Sequence, residues 1–305
     1  MAKLKGLRLP LSDASLTRPV PPYRWQVGRG RCLLLDHTLV MGILNVTPDS
    51  FSDGNTFYDL ESAVDHGLVM AAEGAEIIDV GGESTRPGAV TVPEEEELRR
   101  VIPVIKELVR QLPPHVQVSI DTRKARVAEQ ALAAGASIIN DVSGLQFDPR
   151  MLQVLRESDA GVVIMHMRGT PQDMQQYTQY DDVVAEVCAW LEARTQWLVA
   201  NGVARERIVI DPGFGFSKNL AQNLELLRRL PEFQRIGRPV LVGTSRKSMI
   251  GQVLGLPVSE RLEGTVATVV LAVAAGADIV RVHDVLPAVR ACRMTDAVVR
   301  GMIRS

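Results

Sequence analysis

Eight short runs rich in β-branched residues punctuate the chain: Leu39–Val46, Glu76–Val80, Val116–Ile120, Ser137–Asn140, Val162–Met165, Ile208–Ile210, Val240–Val242 and Asp278–Val282. They read as apolar on both faces, the pattern of strands in a buried parallel sheet. A Gly, Asp, Asn or Thr cluster follows each run, and then a helix-like stretch. Three segments echo one another: AAEGAEIID, LAAGASIIN and VAAGADIVR. Each ends an Ala-rich helix at a glycine (Gly74, Gly135, Gly276), where a helix C-cap needs positive φ, and then launches a strand. The repeating unit is helix–glycine–strand, half of a βαβ array. Between the runs, the pattern predicts helices over Leu60–Glu73, Glu94–Arg110 and Asp181–Asn201. The second opens PEEEE, with an early proline and acids that suit the helix dipole. The third lines up Val183, Val184, Val187, Trp190, Leu191 and Leu198 on about one face.

Eight strands alternating with helices predict an α/β fold, a closed (β/α)8 TIM barrel forming a single domain over residues 31–301. An open doubly wound sheet is the alternative, weakened because no GxGxxG follows the first run. Arg31–Asp36 is expected to add a short strand or hairpin covering the bottom of the barrel. Residues 1–30 are expected to form an N-terminal arm, partly flexible. Its first 22 residues are basic and contain proline but lack the apolar core of a signal peptide.

Composition narrows the functional classes. The chain has 305 residues, 46% of them hydrophobic, a net charge of -2 and a pI near 6.2. Such a balance argues against nucleic acid or an anionic membrane as partner, because both need a basic face. Cys32, Cys188 and Cys292 are far apart and odd in number, which suits three structural thiols and a reducing cytoplasm. The longest apolar run, Val266–Ala277, is too short to span a bilayer and reads as a buried helix. The polar PQDMQQ segment after the fifth run reads as a loop without assigned function.

In a barrel, chemistry gathers at the C-terminal ends of the strands. Here all eight ends carry Asp, Asn, Thr, Lys, Arg or His, more than helix capping alone explains. Two subsets point to ligands. Asp121, Asn140 and Asp211, from runs three, four and six, suit a flat heterocycle with paired N–H donors. Arg86, Lys247, Arg281 and His283, with Asn45 and Thr85, describe an anion pocket for phosphate or pyrophosphate. Strand alternation turns His166 away from its neighbours Met165 and Met167, so only one face of that triplet can line a pocket. Lys247 sits badly at a helix start, where its charge opposes the dipole, and this favours a functional role. Glu83 and Asp141 are left unassigned.

Longer strings then decide the resemblance. MGILNVTPDSFSDG (Met41–Gly54) and GAEIIDVGGESTRPGA (Gly74–Ala89) resemble the two signature stretches of the dihydropteroate synthase family, a family of pterin-binding enzymes. SIDTRK, IINDVSG, VIMHMRGTP, IDPGFGFSK, GTSRKSMIG and RVHDV carry the likeness to every strand end, from about Val40 to Val285. Asn55, where a second glycine is common, is the one departure noted.

The resemblance implies condensation of 6-hydroxymethyl-7,8-dihydropterin diphosphate with p-aminobenzoate, assisted by Mg2+, to give 7,8-dihydropteroate and pyrophosphate. It implies that Asp121, Asn140, Asp211 and Lys247 hold the pterin, with Met165 packed on it. Thr85, Arg281, His283 and Asn45 hold pyrophosphate, Asn45 also being a Mg2+ ligand. Arg86, Pro87, Phe216, Lys247 and Ser245 shape the p-aminobenzoate site, and loops bearing Phe51, Asp53 and Thr85 close over both. Asp121, Lys247 and Arg281 are the catalytic candidates. A homodimer through the last barrel helices is also implied. Three rival readings compete with this resemblance: a methyltetrahydrofolate methyltransferase, a non-catalytic pterin-diphosphate binder and a sugar-phosphate barrel enzyme. The first needs no anion pocket, intact Arg86, Phe216, Ser245 and Lys247 speak against the second, and the third usually carries Gly-rich phosphate loops.

Overall fold

A computed structural model describes residues 23–47 and 56–302. The two loop residues Phe51 and Asp53 lie outside the described residues. The chain opens with an antiparallel hairpin, β1 (Tyr23–Val27) and β2 (Arg31–Leu35). Eight parallel strands follow: β3 (Leu39–Asn45), β4 (Ile77–Gly81), β5 (Gln117–Asp121), β6 (Ile138–Asp141), β7 (Gly161–Met165), β8 (Ile208–Asp211), β9 (Leu241–Val242) and β10 (Ile279–Val282). Each of these eight strands matches an expected run to within one residue at each end, and Asp121, Asp141 and Asp211 are the last residues of the strands they were expected to follow. β3 to β8 are neighbours in chain order, and β10 bridges β3 to β9. The ring closes where Ile210 on β8 meets Val240 beside β9, with the Ile210 N–H donating to the Pro239 carbonyl at 3.0 Å. The expected closed barrel is therefore the observed one.

Helices cover the outside: α1 (Thr56–Ala72), α2 (Glu94–Gln111), α3 (Ala125–Ala134), α4 (Met151–Arg156), α5 (Val183–Ala200), α6 (Leu220–Arg228), α7 (Ser248–Leu254), α8 (Leu262–Ala274) and α9 (Val285–Val299). Gly74, Gly135 and Gly276 have φ of 105°, 116° and 101°, as the echoing helix ends require. Pro93 is the N-cap of α2, one position earlier than a first-turn proline, and four glutamates follow it.

Side-chain alternation along the strands builds the site. Outward residues such as Val40, Ile78, Ile120 and Ile164 pack under the helices. Inward residues low in the barrel are apolar: Leu39, Met41, Ile77, Ile138, Val163, Val209, Leu241 and Ile279. Two positions further along four strands, the inward residue is polar. Ile77 is followed by Asp79, Ile138 by Asn140, Val209 by Asp211 and Ile279 by Arg281. The reading of the runs as apolar on both faces holds for these four strands only in the lower half of the barrel, and not for β5, whose inward Gln117 and Ser119 are polar. The upper half carries a buried polar floor because a residue two positions on returns to the same face.

The hairpin plugs the apolar end. Trp25, Val27 and Leu35 are at most 1% exposed and join the inward apolar cluster. The Trp25 indole Nε1 donates to the Arg207 carbonyl at 2.8 Å. Gly161 lies against that ring, where a Cβ would come within 3.0 Å of Nε1. β1, which falls inside the expected arm of residues 1–30, is packed on the barrel and supplies the plug's tryptophan.

Two further expectations change. In α8 only Thr265, Val269, Ala272 and Val273 are buried, while Leu271 is 49% exposed. A barrel helix has a sheet on one side only, so its apolar outer face stays uncovered within one chain. Val253, Leu254, Val258, Leu262, Met294 and Val298, on α7 to α9 and their connections, are also exposed. The PQDMQQ segment contains a 3-10 turn, Met174–Gln176, whose Met174 is 1% exposed.

Candidate active site

The strand ends converge at the mouth opposite the hairpin. Asn45, Gly81, Asp121 and Asn140 are consecutive cross-strand partners from β3 to β6, and Met165 pairs with Asp211 across β7 and β8. Arg281 reaches in from β10. Its Nε donates to Asp79 Oδ2 at 2.7 Å and its Nη2 to Asp121 Oδ2 at 2.6 Å. Asn140 Nδ2 donates to the same Asp79 oxygen at 2.9 Å. Asp211 accepts the Gly213 N–H at 2.7 Å. Gly213 is obligatory there: φ is +74° and a Cβ would lie 2.1 Å from the His166 carbonyl oxygen.

Three carboxylates thus share this floor with one guanidinium and one ammonium, and burial sets their charge. Burial lifts Asp121 to about 7. Arg281 opposes the rise, while the charges of Asp79, Glu97 and Asp141 add to it. Asp211 is pushed up to about 6, again by burial, against the pull of Gly213 N–H, Lys247, Arg281 and Lys218. For Arg281, burial disfavours the cation, but Asp79 and Asp121 outweigh it and keep the group charged. Lys247, the residue preceding α7, is lowered to about 8 by burial and by Arg281. Its Nζ stands 4.2 Å above the Phe216 ring, a cation–π contact.

An apolar wall faces the polar floor. Met165, Met167, Met174, Val142 and Phe216 form one buried cluster. His166 points the other way, as alternation requires, with its ring 5.1 Å from Trp190 in a T-shaped contact. On the cationic side, Ser245 Oγ accepts the His283 backbone N–H at 3.1 Å and meets His283 Nδ1 at 3.0 Å. Burial and the Arg281 and Arg246 charges lower His283 to about 3, so its ring is neutral at pH 7. A Ser245 proton on Nδ1 leaves Nε2 carrying the ring N–H. Ser245 is thereby engaged with His283 on this side of the mouth. Thr85, Arg86 and Pro87 lie on the partly exposed loop after β4, which is tied to the loop after β7 by Gly88 N–H donating to the Pro171 carbonyl at 3.0 Å.

Comparison with known proteins identifies the family. Residues 41–283 match the family described as pterin binding enzyme. The dihydropteroate synthase of a Synechocystis strain is 50% identical over 264 residues, 86% of this chain and 91% of that one. The solved structure of Xanthomonas albilineans dihydropteroate synthase with 4-aminobenzoic acid superposes with a TM-score of 0.84, at 48% identity, covering 91% of this chain and 98% of that one. The same enzyme in complex with 7,8-dihydropteroate gives a TM-score of 0.80, at 47% identity, covering 88% of this chain and 96% of that one.

The chain belongs to the pterin-binding enzyme family.

Within that family its relatives here are dihydropteroate synthases, and the likeness runs along nearly the whole of both chains. The methyltransferase and sugar-phosphate readings are set aside by it.

Several residues of this pterin-binding barrel escaped the sequence reading. Asp79 is the most central, and its signal was present: one acid inside the apolar run IIDVGG, in phase with the inward positions. Lys218 is 3% exposed and donates from Nζ to the Gly213 and Phe216 carbonyls at 3.0 and 2.9 Å, bracing the DPGFGF loop. Burial lowers it to about 7. Glu83, left unassigned, joins Glu97 around Lys124: Nζ donates to both carboxylates and to the Val92 carbonyl at 2.8 Å. This ion cluster ties down the loop that carries Thr85, Arg86 and Pro87. Asp141, also unassigned, shapes its own turn by accepting from Ser143 N–H and Oγ at 2.8 and 2.6 Å.

Proposed function

We propose that the chain joins 6-hydroxymethyl-7,8-dihydropterin diphosphate to p-aminobenzoate, releasing pyrophosphate and forming 7,8-dihydropteroate. One observation carries this reading: a buried polar floor with two acids and an amide (Asp121, Asp211 and Asn140) adjoins a cationic rim (Lys247, Arg281 with neutral His283) inside one barrel mouth. The first is suited to a ring with N–H donors, the second to a leaving anion. The Xanthomonas albilineans relative has solved structures with 4-aminobenzoic acid and with 7,8-dihydropteroate, a substrate and a product of that reaction.

In this reading Asp121, Asn140, Asp211 and Lys247 hold the pterin, and Met165 packs on its face. Arg281, His283 Nε2–H, Thr85 and Asn45 hold the diphosphate. The methylene C–O bond breaks as pyrophosphate departs with its electron pair. The arylamine nitrogen then forms the new C–N bond and gives up a proton to solvent. The Asp121 carboxylate favours the cationic character that develops at the methylene. Arg86, Pro87, Phe216, Ser245 and Lys247 border the place of the aminobenzoate. The arylamine is neutral at pH 7, so no strong general base is required.

Magnesium fits this donor set. Among the described residues no group of three or more His, Cys, Asp or Glu side chains could hold a metal. Mg2+ favours few protein oxygens together with phosphate oxygens and water, and the Asn45 side-chain oxygen at the end of β3 is of that kind. Bound there, the ion supplies charge neutralisation for the leaving group. The exposed apolar residues of α7 to α9 support a homodimer through those helices. No helix among the described residues is long and apolar enough to cross a membrane, which with the unpaired cysteines supports a cytoplasmic enzyme.

The deciding experiment measures dihydropteroate by chromatography from both substrates, with and without Mg2+. Product that needs both substrates and Mg2+, and is lost in Lys247→Ala, supports the reading. Pterin diphosphate binding without product overturns catalysis and leaves a binding protein.

A further inference from the structure

We propose that Asp79 is a positioning residue for the reaction: from beneath the floor it sets Arg281 and Asn140 in place for the diphosphate substrate. This inference rests on the synthase reading above. Asp79 is fully buried on the inward face of β4. One of its oxygens, Oδ2, accepts from Arg281 on β10 and from Asn140 on β6, 2.7 and 2.9 Å away. No other residue described touches both groups through a single atom in this way.

Two features separate this from a structural role. The other oxygen, Oδ1, has no hydrogen-bond partner among the described residues, and neither has the Ser119 hydroxyl beside it in register. A buried carboxylate with unused acceptors is costly, and an apolar residue would serve the core better. The orientation of Arg281 is the second. Its Nε–Nη2 edge is divided between two carboxylates on adjacent strands, Asp79 and Asp121. A long side chain with four torsions is thereby held at two points, and Nη1 is the terminal nitrogen that neither carboxylate engages. With Asp79 removed, Asp121 alone would hold the guanidinium, and Asn140 would lose its anchor.

The arrangement has an electrostatic consequence that a packing role lacks. Asp121 is faced by Arg281 from β10, Asp79 from β4, Glu97 from α2 and Asp141 from β6. Removing the Asp79 charge takes away one negative neighbour, so Asp121 ionises at lower pH.

The test compares Asp79→Asn, nearly isosteric, with Ser119→Ala as a neighbouring control, using full-length enzyme and both substrates. Asp79→Asn is expected to raise the KM for pterin diphosphate by about tenfold, the loss of a charge-assisted hydrogen bond. The KM for p-aminobenzoate should change by less than about twofold. The acid limb of kcat/KM should move down by about half a pH unit. Ser119→Ala should keep the parent values. A folded Asp79→Asn enzyme with the parent KM and pH profile overturns the inference. If Asp79→Asn does not fold, Asp79 is a structural counter-ion and the inference fails. Absence of product from the parent enzyme would sink the synthase reading instead, so the two failures are distinct.

Discussion

Lys124→Met tests whether the substrate loop after β4 is held by buried charge. Methionine keeps the length of the stem, so the change removes charge and hydrogen bonds and leaves little cavity. In the parent, Lys124 Nζ touches Glu83, Glu97 and the Val92 carbonyl. The side chains of Lys124, Glu83 and Glu97 are 8%, 9% and 1% exposed. Glu83 keeps a second cation, Arg123, at 2.8 Å. Glu97 keeps only the Thr122 hydroxyl, at 2.6 Å. One carboxylate, not two, is therefore orphaned, and breaking such a buried pair costs about 3–5 kcal/mol. That is a large share of the roughly 5–15 kcal/mol that holds a typical domain folded. The loop should suffer as well, because Glu83 and Val92 are its two ends: the Val92 N–H donates to Glu83 at 3.2 Å and the Val92 carbonyl accepts from Lys124. Urea unfolding followed by circular dichroism measures the first effect. Steady-state kinetics measures the second, as a rise in KM for p-aminobenzoate larger than that for pterin diphosphate. A stability loss below about 1 kcal/mol, with both KM values unchanged, would refute the reasoning, since no buried charge would then have been uncovered.

Three further outcomes are expected. Lys247 is lowered to about 8, so its cation is lost as pH rises through that value; kcat/KM should fall on the alkaline side near pH 8, and Lys247→Arg should carry the plateau to higher pH. A limb that stays put in Lys247→Arg assigns it elsewhere. Trp25→Ala removes a fully buried indole and its bond to the Arg207 carbonyl. Burial of about 150–250 Å2 at about 25 cal/mol per Å2 gives ~4–6 kcal/mol, near the ~3–5 kcal/mol seen for such truncations. Denaturant titration should show that loss with KM values intact, because the plug lies at the opposite pole from the site. Ser245→Ala removes a hydroxyl that borders the proposed aminobenzoate place and also holds His283, so the KM values for p-aminobenzoate and for pterin diphosphate should both rise; unchanged values for both would remove Ser245 from the site.

The residues at the strand ends were legible because each carries a local signal. Asp211 stands before Pro-Gly in a turn that must break strand geometry, and Lys247 occupies a helix start where a cation is out of place. Asp79 was not legible in the same way. Its acid lies inside an apolar run, and its partner Arg281 is 202 positions away. The Glu83–Lys124–Glu97 cluster likewise joins a loop, a strand end and a helix that no short-range pattern connects. Met174 sits in a polar segment, and only the folded loop turns it against Phe216 and Met165.

By itself, the sequence determined the number of barrel strands, their order in the chain, the glycines that end helices and the chemistry waiting at each strand end. These depend on periods of two and 3.6 residues and on backbone geometry, which act over a few positions. The tertiary structure alone decided which carboxylates share Arg281, that four strands turn from apolar to polar on their inward face, that Trp25 fills the lower end, and that the outer face of α8 is not covered by its own chain. Those facts follow from closing the sheet into a ring, which brings β10 beside β3 and sets distant side chains at hydrogen-bond distance inside a medium from which water is excluded.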